Sequence, residues 1–228
     1  MNGVFDVDPG QTLHLFIDFK TPGHSTFPVV LAHLEALRSP VNYLTHFNGT
    51  AVIRRAVTVH MTGDAPFDDI IANTTYRDYF YDAPLADLDS GKYTPENSII
   101  ASGQFGAEIG KVIWGKDMSK EQTDKVKKQI GDAHEKGFMT RYWDTPGWPI
   151  SVRNRVWGLL VGSGIDLLNA DDLKVSLLPL SPHLGTWLTW LSRQHHFSIG
   201  ERRNGKEREE FAGVNVWSFY FLFQRVFC

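Results

Sequence analysis

The chain has 228 residues, 42% of them apolar and 21% charged, the make-up of one globular domain rather than a disordered chain. Its 23 Lys and Arg against 26 Asp and Glu leave a net charge of −3, so there is no basic footprint for nucleic acid. The one cysteine, Cys228, excludes an internal disulfide framework, a zinc finger, an iron–sulfur site and a cysteine nucleophile in a cleft.

The opening residues, MNGVFDVDPGQT, have neither a basic n-region nor an apolar h-region, so no secretory signal is expected. No apolar run approaches the length of a membrane span, and the chain reads as soluble. Two glycosylation sequons, at Asn48 and Asn73, count only in a secreted protein.

The first strong element is a strand over 13–20. Leu13, Leu15, Ile17 and Phe19 alternate with His14, Phe16, Asp18 and Lys20, the period of two that a pleated strand requires. A helix is predicted over 26–38, with Val30, Leu31, Leu34 and Leu37 at helical spacing, Ser25 as its cap, and Pro28 in its first turn. The β-rich run 56–60 ends in His60. Residues 64–97 hold Pro66, Pro84 and Pro95 among many Asp and Tyr and read as one long loop over a functional face. A short strand is predicted over 97–102. A helix over 119–137 carries a Ser119–Gln122 capping box, an apolar stripe of Val126, Ile130 and Ala133, and Gly137 at its end. A strand over 138–143, a helix capped by Ser151 and ended by Gly162 and Gly164, and a strand over 164–169 follow.

Repeating βα order with short connections predicts a parallel sheet flanked by helices. Five strands fit either an open doubly wound sheet or part of a (β/α)₈ barrel, because a whole barrel takes about 250 residues. Residues 1–174 hold these units. The segment 175–228, with Trp187, Trp190, the His195–His196 pair and an apolar end, shows no βα continuation and is expected to pack on the domain.

Asp18 and Lys20 share a strand face at the C-terminal end of their strand, where parallel α/β folds build their sites. A carboxylate there suits a hard cation such as Mg²⁺ or Ca²⁺, and a lysine suits a phosphate oxygen. A structural ion pair closing the strand explains the same doublet, and on spacing alone it is the commoner reason. Arg141, Trp143 and Asp144, and then Asn169, Asp171 and Asp172, end later strands and would line the same rim, although Asp172 equally suits a helix cap. Trp148, between Gly147 and Pro149, is either a rim aromatic or a wedge in the core. Of the histidines, His60 at a strand end is the candidate for a site role. There is no zinc-protease, serine-hydrolase, phosphate-loop or EF-hand motif.

The run RYWDTPGWPISVRNRVWGLLVGSGIDLLNADDL at 141–173, with GVFDVDPGQTLHLFIDFKTPG near the start and the six residues 97–102, resembles the fungal altered inheritance of mitochondria protein 6 family. That family resembles the glycerophosphodiester phosphodiesterases and the phosphatidylinositol-specific phospholipase C barrels. The resemblance spans residues 3–174. It implies a TIM-type barrel of the PLC-like phosphodiesterase kind, present here as its last five βα units. It also implies a phosphoric diester hydrolase of lipid metabolism, acting on glycerophosphodiesters or phospholipid-like substrates with a divalent cation, Mg²⁺ or Ca²⁺.

By position, LFIDFK resembles the fourth barrel strand, which makes Asp18 the metal ligand and Lys20 the phosphate-side lysine. The seventh unit puts Trp143 at the rim, and the eighth gives Asp171 as the acidic residue ending the last strand. With His60, these form the expected substrate-binding set. The family's HSHNDY-like stretch, which carries its first catalytic histidine, has no counterpart in this chain. The resemblance therefore leaves the catalytic residues unassigned. It also leaves open a catalytically silent protein that keeps only a phosphate-binding rim.

Overall fold

The computed structural model describes residues 3–5 and 8–170. Asp171, Asp172, the His195–His196 pair and the whole segment 175–228 lie outside the described residues. The elements are β1 (Leu13–Phe19), α1 (Gly23–Leu34), β2 (His46–Phe47), β3 (Val52–Ile53), β4 (Val57–Gly63), α2 (Phe67–Ile71), β5 (Phe80–Pro84), β6 (Ile100–Gln104), α3 (Phe105–Glu108), α4 (Lys120–Glu135), β7 (Met139–Trp143), α5 (Ile150–Gly162) and β8 (Leu167–Leu168).

Six strands form one sheet in the order β1-β4-β5-β6-β7-β8, and every pairing is parallel. A doubly wound sheet reverses its order once to place helices on both faces. This order never reverses, so crossovers of one hand stack the helices on one face, as in a barrel. The count corrects the expected five strands to six. The additional strand, β5, lies inside the stretch read as loop. Its sequence FYDAP sets a carboxylate at a buried position and ends in proline, which disguises the apolar alternation. β2 and β3 pair with each other as an antiparallel hairpin, and Phe47 and Val52 pack on the inner-face cluster of the large sheet.

The two faces of the sheet divide by strict alternation. Ile17 and Phe19 of β1 with Val59 and Met61 of β4 pack against Phe27, Val30 and Leu34 of α1. Ala101 and Tyr142 pack against Val126, Ile130 and Ala133 of α4 and against Val156 and Leu160 of α5. The inner face carries Phe16, Phe80, Ile100, Met139 and Leu167.

The sheet is strongly curled. At about 4.8 Å per strand, β1 and β7 would be far apart in a flat sheet, farther than an arginine side chain spans. Yet the Arg141 guanidinium carbon of β7 sits 4.4 Å above the Phe16 ring of β1.

Local signals placed α4 well. Ser119 Oγ accepts from the Gln122 amide while Gln122 Oε1 accepts from the Ser119 amide, and Gly137 takes a φ of 85° just past the end. Asp166 accepts from the Thr140 amide and hydroxyl at 2.8 and 2.9 Å and bonds His134 Nε2 at 2.7 Å, tying α4 and β7 to the turn before β8. Two helix starts differ from expectation. α1 begins at Gly23, so Ser25 lies inside it, its hydroxyl donating to the Pro22 carbonyl, and Pro28 sits in the second turn. The helix start is docked: the Gly23 amide donates to Asp64 Oδ2 at 3.0 Å, and a Cβ on Gly23 would fall 2.0 Å from the Asp64 carbonyl. α5 begins after Pro149 rather than at a Ser151 cap.

Ile130 is 1% exposed in the cluster that fastens α4 to the sheet. Ile130→Ala should destabilise the fold by about 2–5 kcal/mol, read as a lowered urea midpoint. An unchanged midpoint would show that α4 does not hold the sheet.

Candidate functional site

On the inner face, side chains stand in layers along the strands. The lower layer is apolar except for His60, whose register partners are Phe16 and Phe80. One step toward the C-terminal ends the character changes. Asp18, Thr62, Asp82, Ser102 and Arg141 come from five neighbouring strands, and Asn169 follows β8. This polar layer is the candidate site.

Arg141 organises it. Its guanidinium donates to Asn169 Oδ1 at 2.7 and 3.2 Å, lies 3.6 Å from Asp82 Oδ2, and covers the Phe16 ring. Asp82 is almost wholly buried, and burial pushes its carboxyl up from the ordinary aspartate value. Arg141 and the nearby Ser102 and Thr62 hydroxyls favour its charged form, and the charge of Asp18 opposes it. Asp82 Oδ1 is nevertheless buried without a hydrogen-bond partner.

Asp18 occupies the inner face one residue before the end of β1. Its Oδ2 meets Lys20 Nζ at 2.6 Å, while its Oδ1 is buried and unpartnered. The backbone of β4 makes room for it. Gly63, register partner of Phe19, has a φ of 72°, and a Cβ there would stand 2.3 Å from Asp18 Oδ1. Only glycine combines that conformation with that approach. Lys20 follows β1 rather than belonging to it, with its side chain 55% exposed. The ion pair and the site reading of this doublet thus coexist in one geometry.

Trp143 ends β7 on the rim, 40% exposed. Asp144 beside it accepts from Gln104 Nε2 at 2.8 Å. Trp148 is 76% exposed, which settles it as a rim aromatic.

His60 requires a correction. The strand continues to Gly63, so His60 lies at its middle, fully buried and below the rim. Its Nε2 is 2.8 Å from His14 Nδ1, and its ring stacks on both His14 and Phe16. Desolvation first, then the nearby His14 and Arg141, hold His60 well below the usual imidazole value. It is a neutral core group, not a rim ligand.

Asp82 was missed because its strand was missed. The available signal was the alternation of Phe80 and Asp82 against Tyr81 and Ala83. Among the described residues, no group of three or more His, Cys, Asp or Glu side chains is arranged to hold a metal ion.

Residues 1–82 match the family model of the AIM6-like phosphodiesterase domain. This span contains Asp18, Lys20, His60 and Asp82. The chain is 40% identical over 178 residues to an altered inheritance of mitochondria protein 6 homolog of Arthroderma benhamiae, covering 77% of this chain and 55% of that protein. The chain is related to the fungal altered inheritance of mitochondria protein 6 proteins. A member from Lachancea thermotolerans is 34% identical, with 75% of this chain and 45% of that one covered, and one from Saccharomyces cerevisiae is 30% identical, with 75% and 49% covered. The chain therefore spans about half the length of the curated altered inheritance of mitochondria proteins it matches. No solved structure matches.

The depressed His60 value has a consequence for stability. An unfolded histidine takes up a proton near pH 6.5, whereas the buried ring resists it. The unfolded state then binds more protons, so stability is full above about pH 6.5 and falls as the pH drops below it. Asp82, with its raised value, acts in the opposite sense in more acidic solution. Stability measured by urea unfolding should decline between pH 7 and 5, and His60→Leu should flatten that decline. An equal slope in the variant would remove His60 as its cause.

Proposed function

We propose that this chain carries the phosphodiester-binding rim of a metal-assisted phosphodiester hydrolase, acting on glycerophosphodiesters or phospholipid-like esters from a PLC-like TIM-type barrel. One observation carries the reading. Two carboxylates, Asp18 and Asp82, each keep a buried oxygen without a partner beside two cations, Lys20 and Arg141, at the C-terminal ends of a curled parallel sheet.

Buried carboxylate oxygens are ordinarily satisfied. Two such orphans in the same polar layer suit a hard divalent cation, Mg²⁺ or Ca²⁺. Mg²⁺ commonly takes one or two carboxylates and completes its shell with water and substrate phosphate oxygens. The cation would supply charge stabilisation to a phosphoryl oxygen. The chain's own residues do the rest of the binding. Lys20 presents a mobile ammonium to the phosphate from the solvent side. Arg141, held by Asn169, favours the charged form of Asp82 against the effect of its burial. Trp143 offers an apolar wall to the alcohol portion of the ester.

A second reading, a protein that binds phosphodiesters without cleaving them, is favoured by one specific feature. Both histidines on the inner face, His14 and His60, are buried against each other below the rim, where neither reaches a bound ester as general acid or base.

Calorimetric titration of the 228-residue chain with glycerophosphocholine in Mg²⁺ should show binding that Lys20→Met weakens by about tenfold, the loss of one charge-assisted contact. Identical titrations for the two proteins would sink the proposed rim. In parallel, bis-p-nitrophenyl phosphate with Mg²⁺ or Ca²⁺ should show no turnover by this chain. Turnover that disappears in Asp18→Asn would discard the binding-only reading in favour of the hydrolase.

A further inference from the structure

Large apolar side chains exposed to solvent are expected to be scattered. Here they are concentrated. Of eleven such residues among those described, five lie at the mouth of the curled sheet: Ile113 at 60% exposure, Trp114 at 72%, Trp143 at 40%, Trp148 at 76% and Ile150 at 51%. They include every exposed tryptophan among the described residues.

The residues come from two segments that follow adjacent strands. Ile113 and Trp114 lie between α3 and α4, after β6. Trp148 and Ile150 lie between β7 and the first turn of α5. The ion pair between Asp117 and Arg155 of α5, at 3.4 Å, brings the two segments together. The outward tips are not unpacked core. Val112 and Met118, on either side of Ile113 and Trp114, turn inward onto the cluster around α4.

Within residues 111–120 three exposed lysines, Lys111, Lys116 and Lys120, stand against one acid, Asp117. Asp117 pairs with Arg155, Lys120 pairs with Asp124 at 3.4 Å, and Asp144 accepts from Gln104. Lys111 and Lys116 are the lysines beside the tips. Tryptophan favours the boundary between water and lipid, where its ring is buried and its N–H stays wet, and lysine extends its ammonium to the headgroups. Anionic headgroups attract lysines held near the surface.

We propose that this mouth docks on the surface of an anionic lipid bilayer, Trp114, Trp148, Ile113 and Ile150 entering the headgroup boundary and Lys111 and Lys116 meeting the lipid phosphates. As a statement about substrate the inference rests on the phosphodiester reading, since the docked rim would face lipid phosphodiesters and not free ones. As a statement about binding it stands on the tips alone. The tips project from two loops rather than lining a groove, which suits a deformable lipid surface better than a protein anchor in a pocket.

The test is sedimentation of the 228-residue chain with mixed phosphatidylcholine–phosphatidylserine vesicles, and with phosphatidylcholine vesicles as the comparison. The chain should sediment with the mixed vesicles. The double variant Trp114→Ala, Trp148→Ala should weaken this by at least about tenfold, and raised salt or Lys111→Glu with Lys116→Glu should weaken it in the same direction. All four side chains are exposed, so the variants keep the fold. A native chain that stays in the supernatant, or a double variant that sediments undiminished, overturns the proposal. Equal sedimentation with the two vesicle types overturns its anionic part. Vesicle binding that survives while the glycerophosphocholine titration fails removes the phosphodiester reading and leaves the docking surface standing.

Discussion

The reach of Arg141 across the inner face of the sheet is the interaction on which the rest depends. One guanidinium bonds Asn169 past β8, stands near Asp82 of β5 and covers Phe16 of β1. A buried cation is tolerated only with partners. Asn169 follows the neighbouring strand and Asp82 lies two strands away, but Phe16 lies four strands away, and only a curled sheet brings it under the guanidinium.

That layer rests on an apolar one. Phe16, Phe80, Ile100, Met139 and Leu167 fill the inner face below it, and the hairpin of β2 and β3 packs on them. The boundary between the layers is sharp because one step along each strand changes the residue type together on all of them. His60 is the exception, a polar ring in the apolar layer, neutral by desolvation and bonded to His14. In the layer above the boundary Asp18 and Asp82 each hold a buried oxygen without a hydrogen-bond partner among the described residues.

Much of this was legible in local pattern. The period of two in β1 put Asp18 on the inner face, and the capping box with Gly137 bounded α4 almost to the residue, because caps and alternation depend on near neighbours. The failures have physical causes too. β5 was hidden because a buried aspartate breaks the apolar alternation, and its burial is made tolerable by an arginine nearly sixty positions away in sequence. His60 looked like a strand end because Gly63 is a weak strand former, whereas pairing with β1 carries the strand through Thr62 and Gly63. Trp148 fits both a core and a rim by sequence, and only the path of the loop chose the rim.

The sequence by itself determined the alternation of elements, the parallel class of the sheet and the kinship with the altered inheritance of mitochondria proteins. These rest on periodicity, capping and long identical runs, which are properties of neighbouring residues. The tertiary structure decided between a doubly wound sheet and a curled one, set Asp18 and Asp82 in one polar layer, placed His60 in the core, and gathered the exposed tryptophans at one mouth. Each of these depends on which distant strands lie side by side, and strand order is set by the global packing of helices on one face, to which no local pattern has access.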